Sequence, residues 1–283
     1  MDERVASRTA ERVALRRALH QVVDRPVIFH DPLAMRVIGE GAAREILARR
    51  DSEETVAGRS LRAFMAVRSR LAEDELAAAV GNGVRQYVVL GAGLDTFGYR
   101  NPFEAAGLKV FEVDHAATQA WKRNRLHEIG ITVPPSVALV PVDFENQELG
   151  EQLRAAGFDE GAGAFFSWLG VVPYLTRRAF EETTVYLGKI AGEVVFDYAL
   201  DPNLLSDLER AGLEALSRRV AKVGEPFRLF FDPSELEVWL KGLGFGWLRD
   251  WSPSELNARY FQQRSDGLTL QGRIARILHA RPR

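Results

Sequence analysis

The residues of this chain best suited to chemistry lie at the ends of three apolar runs. Val88-Val89-Leu90 leads into Gly91-Ala92-Gly93-Leu94-Asp95-Thr96. Glycines that follow a buried strand let the backbone turn tightly and approach a ligand closely. The dinucleotide spacing G-x-G-x-x-G would need glycine at 96; Thr96 stands there, and Gly98 comes two places too late. By itself the loop also fits a strand-to-helix turn that holds nothing. Asp114, 23 residues after Gly91, ends the second run. An acid there can accept from both ribose hydroxyls of an adenosine, and it can also cap the helix that follows. Asp143, ahead of Phe144, ends the third run. Its carboxylate can accept from an adenine amino group while the Phe144 N–H faces a ring nitrogen, or it can be a cap or turn residue. Ligands of open α/β sheets bind at the carboxyl ends of the strands. Three such positions on consecutive strands therefore weigh more than any one.

The elements that must position these residues are legible in outline. Residues 1 to about 82 read as helical. Ser7 is placed to cap a helix over 11–23, with Glu11 near the reciprocal position. Asp31-Pro32 opens a second helix. A longer one covers 55–80, where Leu61, Phe64, Met65, Leu71, Leu76 and Val80 recur roughly at helical spacing. Strands are expected at 87–90, 108–113, 137–142, 164–169 and 193–198, with helical stretches near 115–129, 147–156 and 176–190. The glycine loop is expected to open a helix as well. Buried strands alternating with helices indicate a parallel sheet covered on both faces. An amphipathic helix over 203–222 carries Leu204, Leu205, Leu208, Leu213 and Leu216. A helix from Asp232-Pro233-Ser234 and two closing strands at 245–251 and 273–278 follow. No linker divides the chain. The reading is one domain over 1–283, with a helical cover (1–82), a cofactor-binding core (83–198), an inserted lid or dimer helix (199–225) and closing strands (226–283).

Composition narrows the function classes. With 46% apolar and 27% charged residues, the 283-residue chain is globular rather than disordered. Thirty-seven Lys and Arg against 39 Asp and Glu give 37 − 39 = −2, which argues against a nucleic-acid partner. Without cysteine there is no disulfide, thiolate metal site or Cys nucleophile. The longest apolar run, 165–175, falls short of the roughly 20 residues of a membrane helix. The charged start at Asp2 and Arg4 has no signal-peptide character. A cytoplasmic chain without a membrane partner is the expectation.

The motifs taken together resemble a known family. Arg85 to Thr96 is similar to the first motif of the S-adenosylmethionine-dependent methyltransferases related to leucine carboxyl methyltransferase, which include bacterial polyketide O-methyltransferases. The likeness continues through Phe111-Glu112-Val113-Asp114-His115, Gln119-Ala120-Trp121-Lys122, Phe165 to Val171 and Tyr174-Leu175. Upstream, His30-Asp31-Pro32-Leu33-Ala34 and Arg68-Ser69-Arg70 also fit. It covers roughly residues 5 to 250. The resemblance implies an α/β, Rossmann-like seven-stranded methyltransferase sheet with helices on both faces and an N-terminal helical cover. It implies S-adenosyl-L-methionine as methyl donor, with Gly91 and Gly93 under its methionine part. Asp114 would then hold the ribose, and Asp143 with Phe144 the adenine. Arg68 would pair with the methionine carboxylate, a task that suits a planar guanidinium, and Arg70 is the alternative if the alignment with the family slips by one turn. Two departures stand out. Leu169-Gly170 replaces the Glu-Gly of several relatives, and Ala116 replaces a Pro.

Methyl transfer from a sulfonium relies on alignment and desolvation. A carboxylate acceptor needs no general base, whereas an alcohol benefits from one. None of His20, His30, His115, His127 and His279 stands in a recognisable catalytic or metal-ligand spacing, so no catalytic residue and no metal is assigned. His115 reads as a helix-start residue. The acceptor is expected to be a small molecule presenting a carboxylate or an acidic hydroxyl, a secondary metabolite for instance. Trp168, Val172, Pro173 and Tyr174 either line its pocket or belong to the core, with Trp168 and Tyr174 the substrate candidates. The 203–222 helix serves as a lid or as the face of a homo-oligomer. A nicotinamide-dependent oxidoreductase and a non-catalytic S-adenosylmethionine-binding module are the alternatives; the missing third glycine and Asp143 count against the former.

Overall fold

The computed structural model describes residues 8–190, 192–222 and 224–282. Ser7, the expected cap of the first helix, lies outside them. Four helices come first: α1 (Arg8–Val23), α2 (Ala34–Val37), α3 (Glu40–Ala48) and α4 (Val56–Gly81). The core follows as β1 (Gln86–Leu90), β2 (Lys109–Asp114), α5 (Ala116–Glu128), β3 (Val137–Pro141), α6 (Leu149–Ala155), β4 (Phe165–Trp168), α7 (Arg177–Lys189) and β5 (Glu193–Ala199). The chain closes with α8 (Asp207–Ala221), α9 (Pro233–Gly242), β6 (Phe245–Trp251), α10 (Pro253–Tyr260) and β7 (Ala275–Pro282).

One seven-stranded sheet runs β3-β2-β1-β4-β5-β7-β6. The first five strands are parallel, with Val88 opposite Phe111 on one side and Phe166 on the other. β7 and β6 join antiparallel. The strand order reverses between β1 and β4, the crevice where open α/β sheets take ligands. Side chains alternate across β1. Val88 and Leu90 enter the core packed under α6, α7 and α9, and Tyr87 and Val89 enter the core packed under α4 and α10. Burial on both faces explains why the strands read as continuous apolar runs.

Three local expectations change. The segment after Asp31-Pro32 forms two short helices, because Gly39 (φ +83°) breaks the run between α2 and α3. The glycine loop opens no α-helix; a single 3-10 turn, Phe97–Tyr99, follows it. Asp95 Oδ1 accepts from the Phe97 N–H at 2.7 Å, and Thr96 turns its hydroxyl into a buried network. The helix α10 was not anticipated, although Ser252-Pro253-Ser254-Glu255 is a reciprocal capping box with Pro in the first turn. Among the described residues no helix is long and apolar enough to cross a membrane.

Candidate active site

The ends of β1 to β4 converge on one cleft of about 250 Å³, the scale of a small-molecule site. Gly91 (φ +70°) and Gly93 (φ +46°) adopt conformations that side-chain-bearing residues rarely take. A Cβ at Gly91 would overlap Val171 Cγ2. The Gly91 and Ala92 N–H groups donate to the Val113 carbonyl at 2.8 and 2.9 Å and tie the loop to β2. Asp114 then accepts from the Gly93 N–H at 2.6 Å on one oxygen and from the His115 N–H at 2.7 Å on the other. Burial pushes the Asp114 carboxyl up, against these two bonds. Each oxygen keeps a lone pair for a ligand. His115 also lines the cleft, and its buried Nδ1 has no partner among the described residues.

Across the cleft, Asp143 and Phe144 follow β3, as expected. Asp143 accepts from the Glu145 N–H at 2.9 Å and from Asn146 Nδ2 at 2.8 Å, so its turn role is real. Burial would raise this carboxyl, but those bonds outweigh it and hold it below the usual range. Phe144 leans on the ring of Trp168, centroids 6.3 Å apart. Trp168 itself is fully buried and stacks on Phe180 at 5.7 Å. It is core, which corrects its assignment as a substrate residue. The period of two along β4 places it with Phe166 in the core under α7, while Ser167 and Leu169 line the cleft. Val172 and Pro173 are core too, whereas Tyr174 lines the cleft. Burial raises the Tyr174 phenol to about 12.

Arg68 lines the cleft from α4 and is almost fully buried. Its Nη1 donates to Asp197 Oδ2 on β5 at 3.0 Å, and the other Asp197 oxygen accepts from the Gly170 N–H at 2.5 Å. Gly170 (φ +73°) is what allows this approach: a Cβ there would sit 2.6 Å from Arg68 Nη2. Arg70 points elsewhere, to Asp74 at 2.8 Å and the Ile28 carbonyl at 3.2 Å, which removes it as the alternative. Asp197 carried no sequence signal, because its partner lies 129 positions away.

The α1 helix forms a wall with Thr9, Ala10, Val13, Ala14 and Arg17. These positions follow helical spacing and share one face. Buried Arg17 donates to Asp31 at 2.6 Å, Asp95 at 3.2 Å and Thr96 at 3.3 Å. Arg100 adds a 3.0 Å bond to Thr96 and pairs with Glu73. Burial would raise the Asp95 carboxyl, but Arg17, Lys122 and Arg100 together hold it down. This network under the glycine loop was missed from sequence; Asp31 in its motif was the one available hint.

These residues fit an adenosyl sulfonium. Two glycines open the backbone, Asp114 offers fixed acceptors, His115 Nδ1 is unsatisfied, and Arg68 has donors beyond its bond to Asp197. No helix N-terminus follows the loop to take a pyrophosphate, which counts against a dinucleotide. The sequence profile named leucine carboxyl methyltransferase matches residues 10–187. The chain belongs to the leucine carboxyl methyltransferase family. This S-adenosylmethionine-dependent methyltransferase is 32% identical over 282 residues to the Bacillus subtilis (strain 168) protein named "Putative S-adenosyl-L-methionine-dependent methyltransferase YktD", with 90% of this chain and 91% of that one covered. A similarly named protein of Mycobacterium avium (strain 104) is 30% identical, with 84% and 82% covered. A solved methyltransferase structure from Thermobifida fusca YX shares the fold at a TM-score of 0.58 and 14% identity, covering 96% of this chain and 94% of that one. Family membership sets aside the nicotinamide alternative.

Proposed function

We propose that this methyltransferase transfers its methyl group to an oxygen of a small molecule, a carboxylate or an acidic hydroxyl. S-adenosylmethionine supplies a methyl already mounted on a good leaving group. The chain's own residues then hold, align and desolvate. Asp114, Asp143 and Phe144 are assigned to the nucleoside, Gly91 and Gly93 to the methionine stem, and Arg68, aimed by Asp197, to the methionine carboxylate. The α1 wall and the segment 224–228 roof the cleft, which favours a small acceptor over a folded one and excludes water around the nucleophile.

The observation that carries the oxygen assignment is the state of the titratable groups along the cleft. The Tyr174 phenol is held near 12 and stays protonated at neutral pH. Glu145 spends both oxygens on Thr176, and Asp143 is tied in its turn. His115 stands beside Asp114 on the nucleoside side. Tyr174, Glu145 and Asp143 are therefore not free to take a proton from an acceptor. An acceptor that arrives ionised needs no such group.

Incubation with methyl-labelled S-adenosylmethionine and a panel of carboxylic acids, phenols and amines tests this reading. Label should enter acids or phenols. Mild base separates the two, because methyl esters release methanol and aryl ethers do not. The rate should follow ionisation of the acceptor, with no added limb from the enzyme. Transfer confined to amines would overturn the assignment.

A further inference from the structure

Three arginines line the cleft: Arg17, Arg68 and Arg228. Arg17 is paired with Asp31, Asp95 and Thr96. Arg68 is anchored on Asp197 and assigned to the cofactor carboxylate. Arg228 differs from both. Its backbone N–H donates to the Pro173 carbonyl at 2.7 Å and the next N–H, of Leu229, joins at 3.2 Å. Its position over the turn that carries Tyr174 is therefore fixed. Its side chain is exposed at the mouth of the cleft and makes no ion pair or hydrogen bond among the described residues, although carboxylates line the same cleft.

Those carboxylates are committed. Asp95 holds Arg17, Asp114 takes two N–H groups, and Glu145 takes Thr176. Glu225, three residues from Arg228, accepts from the Thr9 N–H at 2.9 Å. The roofing segment thus carries an acid bonded to α1 and a cation with no partner among the described residues. Beside Arg228 the wall is aromatic and apolar, with Tyr174 packed on Phe227 at 5.1 Å and Val171 and Leu175 behind.

We propose that Arg228 is a specificity-determining residue that grips a carboxylate on the methyl acceptor, so that the substrate is an organic acid with an apolar body. This rests on the methyltransferase reading of the same cleft. A planar guanidinium matches a carboxylate bidentately. A carboxylate clamped in that way has a lone pair on each oxygen engaged and its charge countered, which weakens it as a nucleophile. The gripped group is therefore a recognition handle, and the oxygen that is methylated is a second one, presented towards the cofactor.

The test is calorimetric titration of the protein saturated with S-adenosylhomocysteine. The probes are 4-hydroxybenzoate, 4-hydroxyphenylacetate and butyrate, each beside its neutral amide. The wild type should bind at least one acid ten times or more tightly than its amide. Arg228→Gln should abolish that preference with S-adenosylhomocysteine affinity unchanged, and Arg228→Lys should restore part of it. Equal binding of acids and amides, a preference that survives Arg228→Gln, or no binding of any acid would overturn the inference. Failure of S-adenosylhomocysteine itself to bind would instead overturn the reading beneath it.

Discussion

Asp114 concentrates the cofactor argument at the scale of single residues. Gly93 and His115 hold its two oxygens in place before any ligand arrives, so binding spends little on ordering the carboxylate. Asp114→Ala should weaken S-adenosylhomocysteine at least tenfold, about 1.4 kcal/mol, measured by calorimetry on a mutant with native circular dichroism. Asp197 is the less obvious case. Its two oxygens serve two donors, Arg68 Nη1 and the Gly170 N–H. Asparagine has one oxygen, so Asp197→Asn would set an NH₂ against one of those donors and strip Arg68 of its counter-charge. Both lower melting temperature and weaker S-adenosylhomocysteine binding are expected. Undiminished affinity in the folded variant would separate Arg68 from the cofactor. Gly170→Ala probes the same corner from the other side, since its Cβ would push directly on the guanidinium.

Among the elements, the first and last helices of the cover, α1 and α4, are held together by a buried polar knot. Asp24, after α1, accepts from Arg62 of α4 through both oxygens at 2.9 Å and meets His20 Nδ1 at 2.7 Å. His20 Nε2 accepts from the Ile28 and Phe29 N–H groups, so Nδ1 carries the proton that goes to Asp24. Burial would raise the Asp24 carboxyl, but the bonds from His20 and Arg62 win and lower it from 3.8 to about 2. A carboxyl depressed in the folded state stabilises fully above its unfolded value. That stability is lost as pH falls from about 4 towards 2, an amount of about 2 kcal/mol. Urea midpoints between pH 2 and 7 should show this acid limb in the wild type and a flatter one in Asp24→Asn. The inserted helix α8 keeps its reciprocal cap at Ser206 and Glu209 but leaves Leu208 84% exposed. The cleft is roofed by the segment after it rather than by α8 itself.

For the molecule as a whole, the cleft is closed by two segments far apart in the chain, α1 and 224–228, docked on the sheet's carboxyl edge. The bond from the Thr9 N–H to Glu225 spans 216 positions, so the roof exists only once α1 and the 224–228 segment have both docked. Ligand bound beneath it should tighten those parts most. With S-adenosylhomocysteine at 100 times its Kd the native state gains about 2.7 kcal/mol, a rise of several degrees in Tm for a chain of this length. Hydrogen exchange should slow in α1 and 224–228 more than in β5 and β7. Uniform protection across the sheet would show that the roof does not respond to the site beneath it.

The strands, the glycine loop and the acids at 114 and 143 were legible because they are local: an apolar run, a glycine and a carboxylate follow each other within a few residues. The cap of α10 was equally local and equally readable. Arg17, Asp197 and Glu225 could not be read, because what gives each its role lies 78, 129 and 216 positions away. Trp168 shows the same limit from the opposite side. Its place at the end of a strand is in the sequence, but the face it takes is not. The sequence by itself determined the sheet, its cofactor edge and the chemistry of that edge, since strand period and backbone freedom are properties of neighbouring residues. Only the tertiary structure decided which of Arg68 and Arg70 lines the cleft, which aromatic is core and which segments close the cleft. Those depend on packing between elements that approach each other only when the chain has folded.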